Sequence, residues 1–205
     1  MSSEVKANKV SPATGTDFTF GDSGDTFTVP SGATLAVTGA TVTGLSAGKV
    51  LQVVQVTKTD AVSVSTAGTT IAIVTTGLEG SITPASTSNK VLIFLSFNLD
   101  TYHDCHPYFQ VYRNGSALTG AMGAASGTKT RSAVGLQVSF DPTQLGLNYL
   151  DSPSADVSTT YTLMWGSTGV GYQGLNEMTM NRTQYDANDK YVRSASYMTL
   201  MEIEG

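Results

Sequence analysis

Lys90-Val91-Leu92-Ile93-Phe94-Leu95-Ser96-Phe97-Asn98-Leu99 decides the fold. Val91 to Leu95 is apolar on both faces of an extended chain, which predicts a central strand covered on both sides. Met198-Thr199-Leu200-Met201 reads the same way. Outward from this run, strands are predicted at Val50–Thr57, Thr69–Thr75, Tyr108–Arg113, Ser132–Phe140, Thr159–Trp165, Asn176–Met180 and Ala195–Ile203. Asn114-Gly115, directly after Tyr108–Arg113, is a two-residue hairpin signal that returns through Ser116-Ala117-Leu118. No segment sustains an i, i+3, i+4 apolar stripe over three turns. The expected fold is all-β: a short interwoven β stem followed by an antiparallel jelly-roll sandwich, trimeric in assembly.

Composition agrees. The 205 residues are 40% hydrophobic but only 13% charged, with 21 Gly and 6 Pro. An ordinary domain carries about 25% charge. Thr and Ser fill the gap, and Thr favours a pleated surface while Ser and Gly depress helix formation. No apolar run approaches the roughly 18–20 residues of a membrane span, so no membrane insertion is expected. Met1-Ser2-Ser3-Glu4-Val5-Lys6 lacks the apolar core of a signal peptide. The net charge of −5, with 11 scattered Lys and Arg, argues against nucleic acid as a partner. One cysteine, Cys105, excludes an intramolecular disulfide framework.

Three segments follow one another. Residues 1–16 form a polar arm without periodicity, either disordered alone or ordered by docking on another protein. Residues 17–48 hold short alternating pieces, with Phe18 and Phe20, Phe27 and Val29, Leu35 and Val37, then Val42. Turn chemistry separates them at Gly21-Asp22-Ser23-Gly24, Pro30-Ser31-Gly32 and Thr38-Gly39. So few large apolar side chains cannot enclose a core. Either they pack on the following domain or, as favoured here, three copies wind into a stem. Residues 49–205 carry the longer strands of the head.

Catalytic motifs are scarce. Gly21-Asp22-Ser23-Gly24 resembles a serine-nucleophile motif, but no His precedes Ser23 and none follows His106, so the base is missing in either chain order. His103, Cys105 and His106 form the one concentration of metal-type ligands. On a strand His103 and Cys105 share a face while His106 points away, so one copy offers two ligands where structural zinc wants four. Three copies around an axis could complete a site; a polar loop is the favoured alternative. The neighbouring imidazoles are expected to lower the Cys105 pKa. Asp186-Ala187-Asn188-Asp189-Lys190 lacks the Gly and Glu of a calcium loop. A polysaccharide depolymerase would need paired carboxylates about 5–10 Å apart. Its candidates, Asp100 with Asp104 and Asp186 with Asp189, lie in stretches that read as loops. Gly120–Gly127 reads as a flexible loop without the Lys of a phosphate-binding loop. Tyr172, Tyr185 and Tyr191 are candidate receptor contacts, able to stack on sugar rings; packing in sheet edges is the commoner role of such tyrosines. The expectation is a non-enzymatic protein with no cofactor.

One resemblance adds to this reading. Lys6–Thr16, followed by Phe20-Gly21-Asp22-Ser23-Gly24-Asp25-Thr26-Phe27-Thr28-Val29-Pro30-Ser31-Gly32-Ala33-Thr34-Leu35, resembles the opening of structural proteins from tailed bacteriophages. Ile82–Ile93, Val111-Tyr112-Arg113-Asn114-Gly115, Tyr149-Leu150-Asp151-Ser152-Pro153 and Thr199–Ile203 resemble the head domain of phage fibres. That domain looks like the trimeric jelly roll of complement and tumour-necrosis-factor proteins. The resemblance implies a virion protein: a homotrimeric short tail fibre. Its residues 1–16 would dock on another virion protein, and its head would contact a host-surface glycan or protein. A capsid decoration or head-fibre protein, docked on the shell, would share every one of these features.

Overall fold

The computed structural model describes residues 14–15, 24, 26, 28–34, 49–67, 70–101, 105–136, 142–169, 175–184, 186 and 192–205. The chain divides into two compact units, Met1–Leu45 and Ser46–Gly205. In the first, the expected turn at Pro30-Ser31-Gly32 is present: the Ala33 amide donates to the Pro30 carbonyl at 3.0 Å, and Gly32 has φ +86°. Val29 is exposed. The other stem candidates, Phe18, Phe20, Phe27, Leu35, Val37 and Val42, lie outside the described residues.

Eleven strands are described in the second unit: β1 (Val50–Lys58), β2 (Val62–Ala67), β3 (Ile71–Ile82), β4 (Lys90–Thr101), β5 (Pro107–Arg113), β6 (Ser116–Ala117), β7 (Val134–Gly135), β8 (Thr143–Asp151), β9 (Thr159–Ser167), β10 (Leu175–Met180) and β11 (Ser196–Ile203). Every pairing between them is antiparallel. One sheet carries β1-β11-β4-β8, with β10 and β2 extending it along the far end of β4. The other carries β3-β9-β5, with β6 and β7 on the free side of β5. The pairs nest: β1 with β11, β3 with β9, β4 with β8, β5 with β7. A long hairpin wrapped over itself produces this order, and it is the jelly roll the strand pattern predicts.

The core forms where the two sheets face each other. β4 contributes Ile93, Leu95, Phe97 and Leu99; β9 contributes Tyr161, Leu163 and Trp165. Phe97 and Phe109, from opposite sheets, meet at 4.7 Å between ring centroids, tilted by 53°, a favourable aromatic geometry. Buried polar groups are tied down. Asp151 accepts two bonds from Arg113 (2.9 and 3.1 Å) and one from the Tyr161 hydroxyl (2.7 Å). Glu202 accepts from the Ala85 amide, Asn89 Nδ2 and Gln52 Nε2.

Three expectations are corrected. Val91–Leu95 and Met198–Met201 are covered on one face only: Ile93 and Leu200 are buried, whereas Phe94 is 41% exposed. A two-layer sandwich has one interior, so the second apolar face of β4 is left bare. β2 and β8 are strands that the pattern did not single out, and β3 runs on to Ile82 through two register shifts. There the Thr76 hydroxyl donates to the Leu163 carbonyl at 2.8 Å and accepts the Leu78 amide at 3.1 Å, standing in for ladder bonds at a bulge. Of the predicted Ser132–Phe140 strand, only Val134–Gly135 is a described strand; residues 137–140 lie outside the described set. At the hairpin, Asn114 and Gly115 have φ +48° and +79°, the left-handed pair that a two-residue turn requires.

Candidate functional site

Alternation along β5 turns Phe109 and Val111 into the core and Tyr108, Gln110 and Tyr112 outward. Tyr108 pairs with Gly166 on β9 and Gly135 on β7. Its ring lies directly on Gly166: a Cβ there would stand 2.5 Å from the phenolic oxygen and 2.6 Å from Cζ. Gly169 leaves the same room for His106, whose Cγ would lie 2.6 Å from an added Cβ. The backbone locks this corner, with the Thr168 amide donating to the His106 carbonyl and the Leu136 amide to the Pro107 carbonyl, both at 3.2 Å.

The connection after β6 walls the other side. Arg131 spreads its guanidinium between the Gly123 carbonyl (2.7 Å) and the Thr119 carbonyl (2.8 Å). Gln110 Nε2 donates to the Arg131 carbonyl at 2.6 Å. Ser132 exchanges bonds with the backbone of Phe109 at 3.0 and 3.1 Å. The stretch Gly120–Gly127, expected to be a flexible loop, is therefore pinned at its base by Arg131, a residue outside the stretch itself. A turn closed by the Lys129 amide on the Ser126 carbonyl, 3.1 Å, carries Thr128, Lys129 and Thr130 to the rim.

Between these walls lies an open cleft of about 590 Å³. His106, Tyr108 and Lys129 supply its functional side chains, Thr128, Thr130 and Thr168 its hydroxyls, and Pro107 and Leu136 its apolar floor. None of these lining residues is acidic, in a chain with 16 Asp and Glu. Burial, and then the neighbouring Tyr112, push the Tyr108 phenol above its ordinary value, so it stays a hydrogen-bond donor. Volume and lining suit a small polar ligand with an apolar face.

The predicted site residues fare unevenly. His106 lines the cleft, but Cys105 turns the opposite way into the core, where Sγ meets Ser167 Oγ at 3.4 Å. Burial pushes the Cys105 thiol up, against the expectation that adjacent imidazoles lower it; successive strand residues face opposite sides. His103, Tyr172, Tyr185 and Tyr191 lie outside the described residues, and no cluster of three or more His, Cys, Asp or Glu suited to a metal occurs among the described ones. Both oxygens of Asp100 are occupied by the amides of Thr101 and Gln184, each at 2.8 Å, and Asp186 pairs with Arg193. Asp104 and Asp189 lie outside the described set. Tyr108 and Lys129 were not anticipated. The outward phase of Tyr108 is readable from the alternation of β5, but nothing in the sequence brings Lys129 to it.

Neither a family model nor a curated protein matches the chain. Among solved structures it is similar to that of infectious bursal disease virus Gt strain, at 9% identity and TM-score 0.32, over 75% of this chain and 42% of that one. The Gx strain structure (12% identity) and the crystal structure of the VP2 subviral particle of the same virus (10%) match at TM-score 0.32, over 75% of this chain and 40% of theirs. The chain thus spans 40–42% of the length of these chains.

Proposed function

We propose that the protein is a virion structural protein of a tailed bacteriophage: a short homotrimeric fibre. Its residues 1–16 attach it to another virion protein, and its jelly-roll head adheres to the host surface. The observation that carries the assembly is the outer face of the first sheet. Register sets Val53, Met201, Leu92 and Leu150 in one row across β1, β11, β4 and β8. The next row is Gln55, Thr199, Phe94 and Asn148, and the one after it Thr57, Tyr197, Ser96 and Gly146. Val53 is 56% exposed, Leu150 45% and Tyr197 41%. No charged side chain stands in these three rows, and Gln55 and Thr199 satisfy each other at 3.1 Å.

Copies carrying a net charge of −5 repel one another, so an uncharged face with six of its twelve residues apolar or aromatic is where they can meet at least cost. Four strands about 4.8 Å apart and about nine residues long make a face of roughly 500 Å². In a threefold assembly each copy turns this one face toward its two neighbours, burying up to roughly 500 Å² per copy. The resemblance of residues 6–35 to phage structural proteins supports the virion assignment, and the cleft supports adhesion. A second reading, a capsid decoration protein, rests on the same face and the same resemblance.

Sedimentation of the full chain tests the assembly: three times 21.4 kDa is expected for the protein as it stands, and the single-chain mass for Phe94→Asp. A stable monomer of the unaltered chain refutes the trimer. Labelling intact virions separates the two readings, with tail signal expected and signal confined to the shell favouring decoration. Deletion of residues 1–16 is expected to abolish virion attachment and leave trimers intact.

A further inference from the structure

We infer that the cleft beside Tyr108 takes an acidic sugar residue of a surface polysaccharide, one bearing a carboxylate or sulfate. The inference rests on the adhesion reading above and names the ligand class of that site. Three features point the same way. Among the described lining residues Lys129 is the one permanently cationic side chain, and none is acidic. A neutral sugar would not require that bias, in a chain where acids outnumber Lys and Arg by 16 to 11. Lysine acts on an anion as a point charge with three donors, tolerant of carboxylate and sulfate alike.

The second feature is the ring of Tyr108. Pressed onto Gly166, it presents an aromatic surface beside Pro107 and Leu136, the kind of platform on which the apolar face of a pyranose rests. The third is the hydroxyls of Thr128, Thr130 and Thr168, matched to the many donors and acceptors of a sugar ring. Gly166 and Gly169 are part of this construction, since a side chain at either would drive Tyr108 or His106 from its place. The volume, about 590 Å³, is within the range of small-ligand sites. A single exposed cation makes a weak contact, so one site binds loosely and three linked copies supply avidity.

The test is titration calorimetry of the full chain with uronic-acid oligosaccharides, their carboxyl-reduced neutral counterparts, and sulfated counterparts. Acidic sugars are expected to bind and neutral ones to bind several-fold more weakly, a difference that added salt removes. Lys129→Gln is expected to weaken acidic sugars roughly fivefold, the upper end for an exposed ion pair, and so to close most of the gap between acidic and neutral ones. Tyr108→Ala weakens both, and matching thermal melts confirm that each variant is folded. The uronate and sulfate arms decide which anion is preferred. Equal binding of acidic and neutral sugars, lost in Tyr108→Ala, overturns the acidic preference and leaves adhesion standing. Acidic binding untouched by both variants overturns the cleft as the site. No binding by any sugar overturns this inference and the glycan reading together.

Discussion

Replacing Glu202 by glutamine isolates one buried charge. Glu202 is 1% exposed and no Lys or Arg among the described residues pairs with it; three donors hold it instead, the Ala85 amide and Asn89 Nδ2 on one oxygen, both at 2.6 Å, and Gln52 Nε2 on the other at 2.8 Å. These donors come from β1 and from the β3–β4 connection, so the carboxylate ties both to β11. Glutamine must place its NH2 against a donor. The cheaper choice faces Gln52, which cannot turn its amide over because Nε2 also donates to the Thr83 carbonyl at 2.7 Å. One charge-assisted bond is lost, worth about 1.5–3 kcal/mol. Relief of the buried charge offsets part of that, leaving a cost of about 2 kcal/mol. For a domain of this size that lowers Tm by about 4–8 °C at pH 7.

The pH dependence supplies the sharper test. Burial pushes the Glu202 carboxyl up, but the bonds from Asn89, Ala85 and Gln52 outweigh it and hold it below its ordinary value of 4.5. A carboxyl lowered in the folded state contributes stability that is fully present above the unfolded pKa and is lost as pH falls through the folded pKa. Thermal melts of the two proteins by circular dichroism are therefore expected to differ most at pH 6–7. They should draw together as the pH falls below 4.5 and through the lowered folded value, where the carboxyl becomes a neutral acid. Equal stability at pH 7, or a gap of the same size at pH 7 and pH 3, refutes the reasoning.

Three further outcomes are expected. Asp151→Asn removes the two-oxygen grip on Arg113 and weakens the acceptor of the Tyr161 hydroxyl; a third of the Arg113 side chain reaches solvent, so urea unfolding should show a loss of about 2 kcal/mol, short of the 3–5 for a fully buried pair. Cys105, buried and with its thiol pushed up by burial, should resist a thiol reagent at pH 8 in the native protein and react promptly in denaturant. Gly166→Ala brings a Cβ to 2.5 Å from the Tyr108 oxygen, so the ring must swing away; melts should show about 1–3 kcal/mol of destabilisation, with tyrosine fluorescence reporting the displaced ring.

Most strands were legible because β periodicity is a local signal. Val50–Thr57, Tyr108–Arg113, Thr159–Trp165 and the Asn114-Gly115 hairpin are found within a residue or two of their expected places. β8 escaped notice although Leu145, Leu147 and Tyr149 alternate with Gln144, Gly146 and Asn148. Its inward residues are only partly buried, as suits an edge strand, and two of its outward ones are Gly and Asn, which are depleted in strands. β3 extends beyond the expected Thr69–Thr75 because a bulge stabilised by the Thr76 hydroxyl carries the strand past Gly77 and Gly80 to Ile82.

Low charge, abundant Thr, Ser and Gly, and the two-residue period determined by themselves that this protein is a β sandwich, since each depends only on neighbours along the chain. Tertiary structure decided which apolar face of Val91–Leu95 is interior and which stays exposed, because coverage depends on the second sheet. It also decided that Cys105 is core and His106 is surface. The cleft was the least legible feature. His106 and Tyr108 approach Lys129 only through the pairing of β5 with β7 and β9 and the grip of Arg131 on a glycine-rich loop, contacts between residues far apart in sequence.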